Sequence, residues 1–181
     1  SKPLLFCSRT MIVDENLNLT GRSPIMEYPP SFSNSIAQSL AGGNTMVFNG
    51  QARSIIASSV KPKLEFVAHD WWCYIIICGT GGVVIYDPDP KIYYRQHDNN
   101  VLGANSGFVA KLKRFSMLMA GDFRQWNDQN LHNIKENRHL FLTDNILLAE
   151  RFDVARRSNI IQRIKAFFSL GIRRQSALGN C

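Results

Sequence analysis

The 181-residue chain has no uninterrupted apolar run approaching the ~18 residues of a membrane-spanning helix, which excludes such a span on hydropathy. It has no CxxC pair: Cys7, Cys73, Cys78 and Cys181 are scattered, and two of them sit inside an apolar run where they read as small core residues. That pattern speaks against a zinc cage or a disulfide framework and fits a reducing cytoplasm. Ser1 to Phe6 runs directly into polar residues, so the start is no secretory signal. An initiator Met is also missing, and the chain is expected to be cut from something longer. Acidic residues are scarce at the other end. Residues 1 to 110 balance eight Lys/Arg against eight Asp/Glu, whereas residues 111 to 181 hold thirteen against six, so the whole net charge of +7 lies in the tail. A neutral catalytic or binding body followed by a basic helical region facing an anionic surface is the expected organisation. The length is enough for one domain with a sizeable core.

The most informative stretch is His69-Asp70-Trp71-Trp72-Cys73-Tyr74-Ile75-Ile76-Ile77-Cys78. A run that is apolar on every side belongs in the interior, so it predicts a buried helix with a carboxylate and an imidazole at its head. Asp70 has two compatible roles: it can N-cap the helix, or it can be held rigidly as a general base. The indoles of Trp71 and Trp72 are either core or an aromatic wall for the apolar face of a sugar. Gly79-Thr80-Gly81-Gly82 ends the helix.

Around it, Leu4-Leu5-Phe6 and Met11-Ile12-Val13 read as short strands, with Asp14 to Asn18 as the following turn. Prolines 24, 29 and 30 mark a loop, and Ser31 or Ser33 can cap a short helix through Ile36 and Leu40. Gly42-Gly43-Asn44 precedes a strand-like Thr45 to Phe48 and a helical Gln51 to Ser58. The glycines serve either an ordinary turn or a backbone-lined floor to a sugar or phosphate pocket. Val83 to Tyr86 and Ile92 to Tyr94 read as strands joined by a turn at Asp87-Pro88-Asp89-Pro90, which makes the class α/β or α+β. Just past that second strand, Arg95-Gln96-His97 with Asn99-Asn100 concentrates residue types that bind diphosphate oxygens, a divalent metal or sugar hydroxyls. From Ser106 on, Phe108, Leu112, Phe115 and Met119, then Ile146, Leu147, Ile160, Ile161, Ile164, Phe167 and Phe168 follow the helical period. Arg156, Arg157, Arg163, Lys165, Arg173 and Arg174 flank the last of these, as a solvated basic face or as a helix on anionic lipid would.

Taken in order, Val13-Asp14-Glu15-Asn16, Gly43 to Asn49, His69-Asp70-Trp71-Trp72, Tyr86-Asp87-Pro88, Tyr94 to His97 with Asn99-Asn100, and Gly171-Ile172-Arg173-Arg174-Gln175 make a set. That set resembles the C-terminal part of bacterial family 2 glycosyltransferases of the rhamnosyltransferase-like group. The resemblance implies a GT-A fold of α/β class, with an acceptor and catalytic half at 1–105 and a basic helical region at 106–181, the nucleotide-binding half not being represented. It implies a nucleotide-diphospho-sugar donor, a saccharide or lipid-linked acceptor, a divalent metal (Mg²⁺ or Mn²⁺) and inverting transfer in surface-polysaccharide synthesis at the cytoplasmic face of the inner membrane. By the same resemblance Asp70 looks like the base, and Gly43, Asn44 and Thr45 look like the floor of the sugar and acceptor site. His69, Trp71 and Trp72 would also contact substrate, and Arg95, Gln96 and His97, with Asn99 and Asn100, would close on the diphosphate and metal, His97 as a metal ligand. An incomplete donor site is expected to leave this chain inactive alone. Two rival readings use the same residues: a metal-dependent phosphohydrolase built on His69, Asp70 and His97, and a non-catalytic module binding a membrane or nucleic acid through the basic tail. Nucleic acid is not expected as a partner, because the strongest aromatic stretch is neutral and not interleaved with basic residues.

Overall fold

Strand β1 (Leu4–Val13) is the spine of a four-stranded mixed sheet in the computed structural model, which describes residues 2–95 and 122–172. The two apolar triplets of the sequence suggest two strands, but they form one. The polar residues between them are satisfied in place: Arg9 donates through Nε and Nη2 to Ser23 O (2.9 and 2.6 Å), and Thr10 N donates to Ser23 Oγ (3.1 Å). With those groups bonded, nothing interrupts the extended backbone. The turn expected at Asp14 is present. Asp14 Oδ1 accepts from Asn16 N and Asn18 N (2.9 and 2.8 Å) and Leu17 takes a positive φ of 66°, which returns the chain as β2 (Leu19–Arg22), antiparallel to the end of β1.

Strand β3 (Val47–Phe48) pairs antiparallel with Leu5–Phe6, and β4 (Val83–Arg95) runs parallel to β1 along its whole length, so β2 and β3 share the opposite edge. Strand β4 is also continuous where two strands and a turn were expected. Its partners step from Ser8↔Asp87 to Thr10↔Ile92, so the Asp87 to Pro90 segment is a bulge, closed by Asp89 N donating to Asp87 Oδ1 (2.9 Å) and by a Lys91–Asp87 ion pair (3.0 Å). Of the strand expected over Thr45 to Phe48, only β3 is extended, because Gly43–Thr45 is a 3₁₀ turn.

The one-turn helix α1 (Phe32–Ser35) is capped by Ser31, and α2 (Gly50–Ser59) by Asn49, whose Oδ1 accepts from both Ala52 N and Leu4 N (2.9 and 3.1 Å), tying helix to sheet. Helix α3 (His69–Gly79) buries eight of its eleven residues. At ~1.5–3 kcal/mol for each large apolar side chain fully buried, it anchors the core. Polar atoms of its buried face are all placed: Trp71 Nε1 donates to Ser35 O (2.6 Å), Trp72 Nε1 to Ser59 Oγ (2.9 Å), and Tyr74 Oη accepts from Ser31 N and donates to Asn34 Oδ1 (both 2.9 Å). Its end follows the glycines. Phe141 packs where a Cβ at Gly79 would sit, and Gly81 takes φ 77°.

Helices α4 (Asp122–Glu136), α5 (Thr143–Arg157) and α6 (Ile160–Ser169) follow. They do not have a core of their own among the described residues. Ile134, Phe141, Ile146, Ala149 and Phe152 join Trp71, Trp72, Ile75, Ile76 and Leu5 in one cluster, and Asn145 Nδ2 caps α3 by donating to Gly79 O (2.9 Å) and Cys78 O (3.3 Å). No helix among the described residues is long and apolar enough to cross a membrane.

Candidate functional site

A cleft of about 620 Å³ opens above the sheet at the head of α3. Its floor is Ser8 and Thr10 of β1 with Tyr86 and Tyr94 of β4. One wall is the 39–44 segment carrying Gly42, Gly43 and Asn44, another the 23–26 loop, and His69 and Asp70 close the remaining side. The 23–26 loop is fixed to the sheet by the Arg9 and Thr10 bonds to Ser23 and by Tyr86 Oη donating to Pro24 O (3.3 Å). Burial, partly offset by a backbone bond at Met26, pushes the Tyr86 phenol pKa up, so it stays a neutral donor.

Asp70 lies in the first turn of α3, but the cap position is Ala68, which makes no side-chain bond, so Asp70 does not N-cap the helix. Its carboxylate still benefits from the helix N-terminus. One oxygen, Oδ1, accepts from Trp71 N (2.7 Å), and the group, partly buried, lines the cleft. Its charge also reaches inward: burial first, then Asp70, pushes the Cys73 thiol up to about 11. Beside it, His69 is exposed, and its imidazole packs on the backbone of Gly43. The glycine therefore serves close approach rather than an unusual φ.

The structure thus brings Gly43, Asn44, His69 and Asp70 to one cleft. Thr45 is behind it, buried, with its Oγ1 donating to Gly42 O (3.0 Å), so it shapes the turn and does not face the cleft. Trp71 and Trp72 are corrections: both indoles are core, 5% and 2% exposed, and neither lines the cleft. A helix whose first turn points His69 and Asp70 outward must turn the next two positions inward. Arg95 is exposed at the end of β4 and does not line the cleft, although its neighbour Tyr94 does, since consecutive strand residues face opposite ways. Gln96, His97, Asn99 and Asn100 lie outside the described residues, as do Phe108, Leu112, Phe115, Met119, Arg173, Arg174 and Gln175.

Sequence reading missed the hydroxyl and phenol lining, Ser8, Thr10, Ser23, Ser39, Tyr86 and Tyr94. Those side chains come from four separate segments; Tyr86 and Tyr94 stand in the quoted motifs but carry no assigned role there, and the four hydroxyls form no local motif. Ser39 Oγ is buried behind the wall with no hydrogen-bond partner. Among the described residues the lining holds one carboxylate, one imidazole, hydroxyls and an amide beside apolar side chains, and no Lys or Arg. That set suits a neutral polyhydroxy ligand. Among the described residues no group of three His, Cys, Asp or Glu gathers, Asp87 is committed to Lys91 and Asp89 N, and the expected metal ligand His97 lies outside them. No step below is routed through a metal.

A carboxylate at a sugar-sized cleft is an arrangement found in glycosyl transfer, and the chain has partial similarity to a glycosyltransferase. That relative is the dTDP-rhamnosyl transferase RfbG of Shigella flexneri, 32% identical over 66 residues, which are 36% of this chain and 23% of the relative. The chain therefore spans under a quarter of the curated relative it matches. No family model matches the chain. No solved structure matches it either.

Proposed function

We propose that this chain is the acceptor-binding part of a GT-A glycosyltransferase, moving a hexosyl unit, rhamnosyl by the relative's name, from a nucleotide-diphospho-sugar to a saccharide or lipid-linked acceptor with inversion. The observation that carries the reading is Asp70 on the wall of a cleft lined by hydroxyls and phenols, with no Lys or Arg among the described lining residues, together with the rhamnosyltransferase similarity. A neutral acceptor suits such a lining. The donor diphosphate does not, and would be bound outside it, towards Arg95 and beyond.

In this mechanism Asn44 and the tyrosines orient the acceptor so that one hydroxyl lies against Asp70. As its oxygen bonds to the anomeric carbon, the bond from that carbon to the donor phosphate breaks. The hydroxyl proton passes to the Asp70 carboxylate, and the nucleoside diphosphate leaves with the electron pair. Carboxylate help of this kind contributes roughly 10²–10⁴-fold. The test is transfer from dTDP-rhamnose by the protein carrying this chain: Asp70→Asn should lower kcat by about 10²-fold or more with KM little changed. Wild-type turnover in a folded Asp70→Asn protein contradicts the role.

A further inference from the structure

Helix α6 turns most of its apolar side chains outward. Ile160, Ile161, Ile164 and Phe168 are 61%, 64%, 52% and 82% exposed, and at i, i+1, i+4 and i+8 they form one stripe along the helix. Only Phe167 points inward, edge-on to Phe152 (ring centroids 5.7 Å, 74°), which fixes α6 on α5 and leaves the stripe uncovered by the described residues. Apolar side chains this large and contiguous are seldom left to water.

The charge around the stripe decides what covers it. From Val154 to Cys181 the chain has six Lys/Arg and no Asp or Glu. Arg156 and Arg157 are spent on Asp128 and Asp153, but Arg163 and Lys165, which border the stripe, make no ion pair among the described residues. Pairing α6 with a second copy would stack those cations with no acid on the helix to meet them. An anionic bilayer answers both features, apolar depth for the stripe and phosphate for the cations.

We propose that α6 is an in-plane anchor for anionic membrane: Ile160, Ile161, Ile164 and Phe168 enter the acyl boundary while Arg163 and Lys165 reach the headgroups. The anchor is independent of sugar transfer. It is tested by co-sedimenting the full 181-residue chain with vesicles of phosphatidylcholine containing phosphatidylglycerol, against pure phosphatidylcholine. Binding should be about tenfold tighter or more with phosphatidylglycerol and should weaken with salt. Ile164→Ser with Phe168→Ser should lower that affinity at least about tenfold with an unchanged circular dichroism spectrum, because both side chains are exposed. Arg163→Gln with Lys165→Gln should remove most of the preference for phosphatidylglycerol. Equal binding by the apolar variant, indifference to phosphatidylglycerol, or loss of a dimer by light scattering instead of loss of vesicle binding would each overturn the proposal.

Discussion

The backbone of Gly43 lies against the imidazole of His69: a Cβ built at position 43 would overlap Nε2 and stand 3.0 Å from Cδ2. Two stretches 26 residues apart in sequence thus meet at the wall of the cleft, beside Asp70. A methyl group there must displace either the imidazole or the 3₁₀ turn.

Gly43→Ala should therefore damage the site more than the fold. The exposed imidazole can swing into solvent, so stability should fall by only about 1 kcal/mol or less, while saccharide affinity should drop about tenfold, a loss of 1.4 kcal/mol in binding. Denaturant melts and binding titrations read the two separately. The double variant Gly43→Ala/His69→Ala should lose less than the sum of the single changes, since the clash exists only when both side chains are present.

Trp71→Phe and Trp72→Phe should act on stability. Each removes a buried indole N–H and strands its acceptor, Ser35 O or Ser59 Oγ, at a cost of ~1–3 kcal/mol. Urea unfolding measures that loss. A full-strength fold with weakened sugar binding would return the indoles to the cleft.

Burial pushes the Cys7 and Cys78 thiols up to about 12 and Cys73 to about 11, with Asp70 adding to the last. Only the thiolate is nucleophilic. At pH 8 these three should react with a disulfide reagent no faster than the chain unfolds, and at the full rate in denaturant. Asp70→Asn should lower the Cys73 value and leave Cys7 unchanged.

Acid should loosen the last turns of α5. Burial pushes the Asp153 carboxyl up, but bonds from Arg156 Nε and Arg157 Nε (2.8 and 3.0 Å) more than offset it and hold the pKa below the usual carboxylate value. A carboxyl depressed in the folded state contributes stability above its unfolded pKa of about 3.9, and that contribution disappears as pH falls through the lower folded value. Asp14 and Asp87 share the sign, through their bonds to Asn18 and to Asp89 N. Thermal melts from pH 5 downward should show the decline, and Asp153→Asn should flatten it.

How much of this was legible in the chain differs by element. Helix α3 was legible because an all-apolar run with a glycine stop admits few alternatives, and α2 because its pattern was equally plain; Asn49 as its cap follows from the structure. The continuity of β1 and β4 was not, because Arg9 and Thr10 find their partners on Ser23, and prolines at 88 and 90 fit a bulge as well as a turn. Within the cleft, Gly43, His69 and Asp70 stood out as charged or glycine residues beside apolar runs. Ser8, Thr10 and Ser23 did not, since their place in the lining comes from segments that meet only after folding.

The most direct measurement of the central claim is an amide chemical-shift titration of the 181-residue chain with a set of methyl hexosides, methyl rhamnoside among them. Saturable shifts concentrated at Gly42, Gly43, Asp70 and Tyr94, weakened by Asn44→Ala, are the predicted result. Shifts confined to other surfaces, or none at those four positions at millimolar saccharide, would contradict the account.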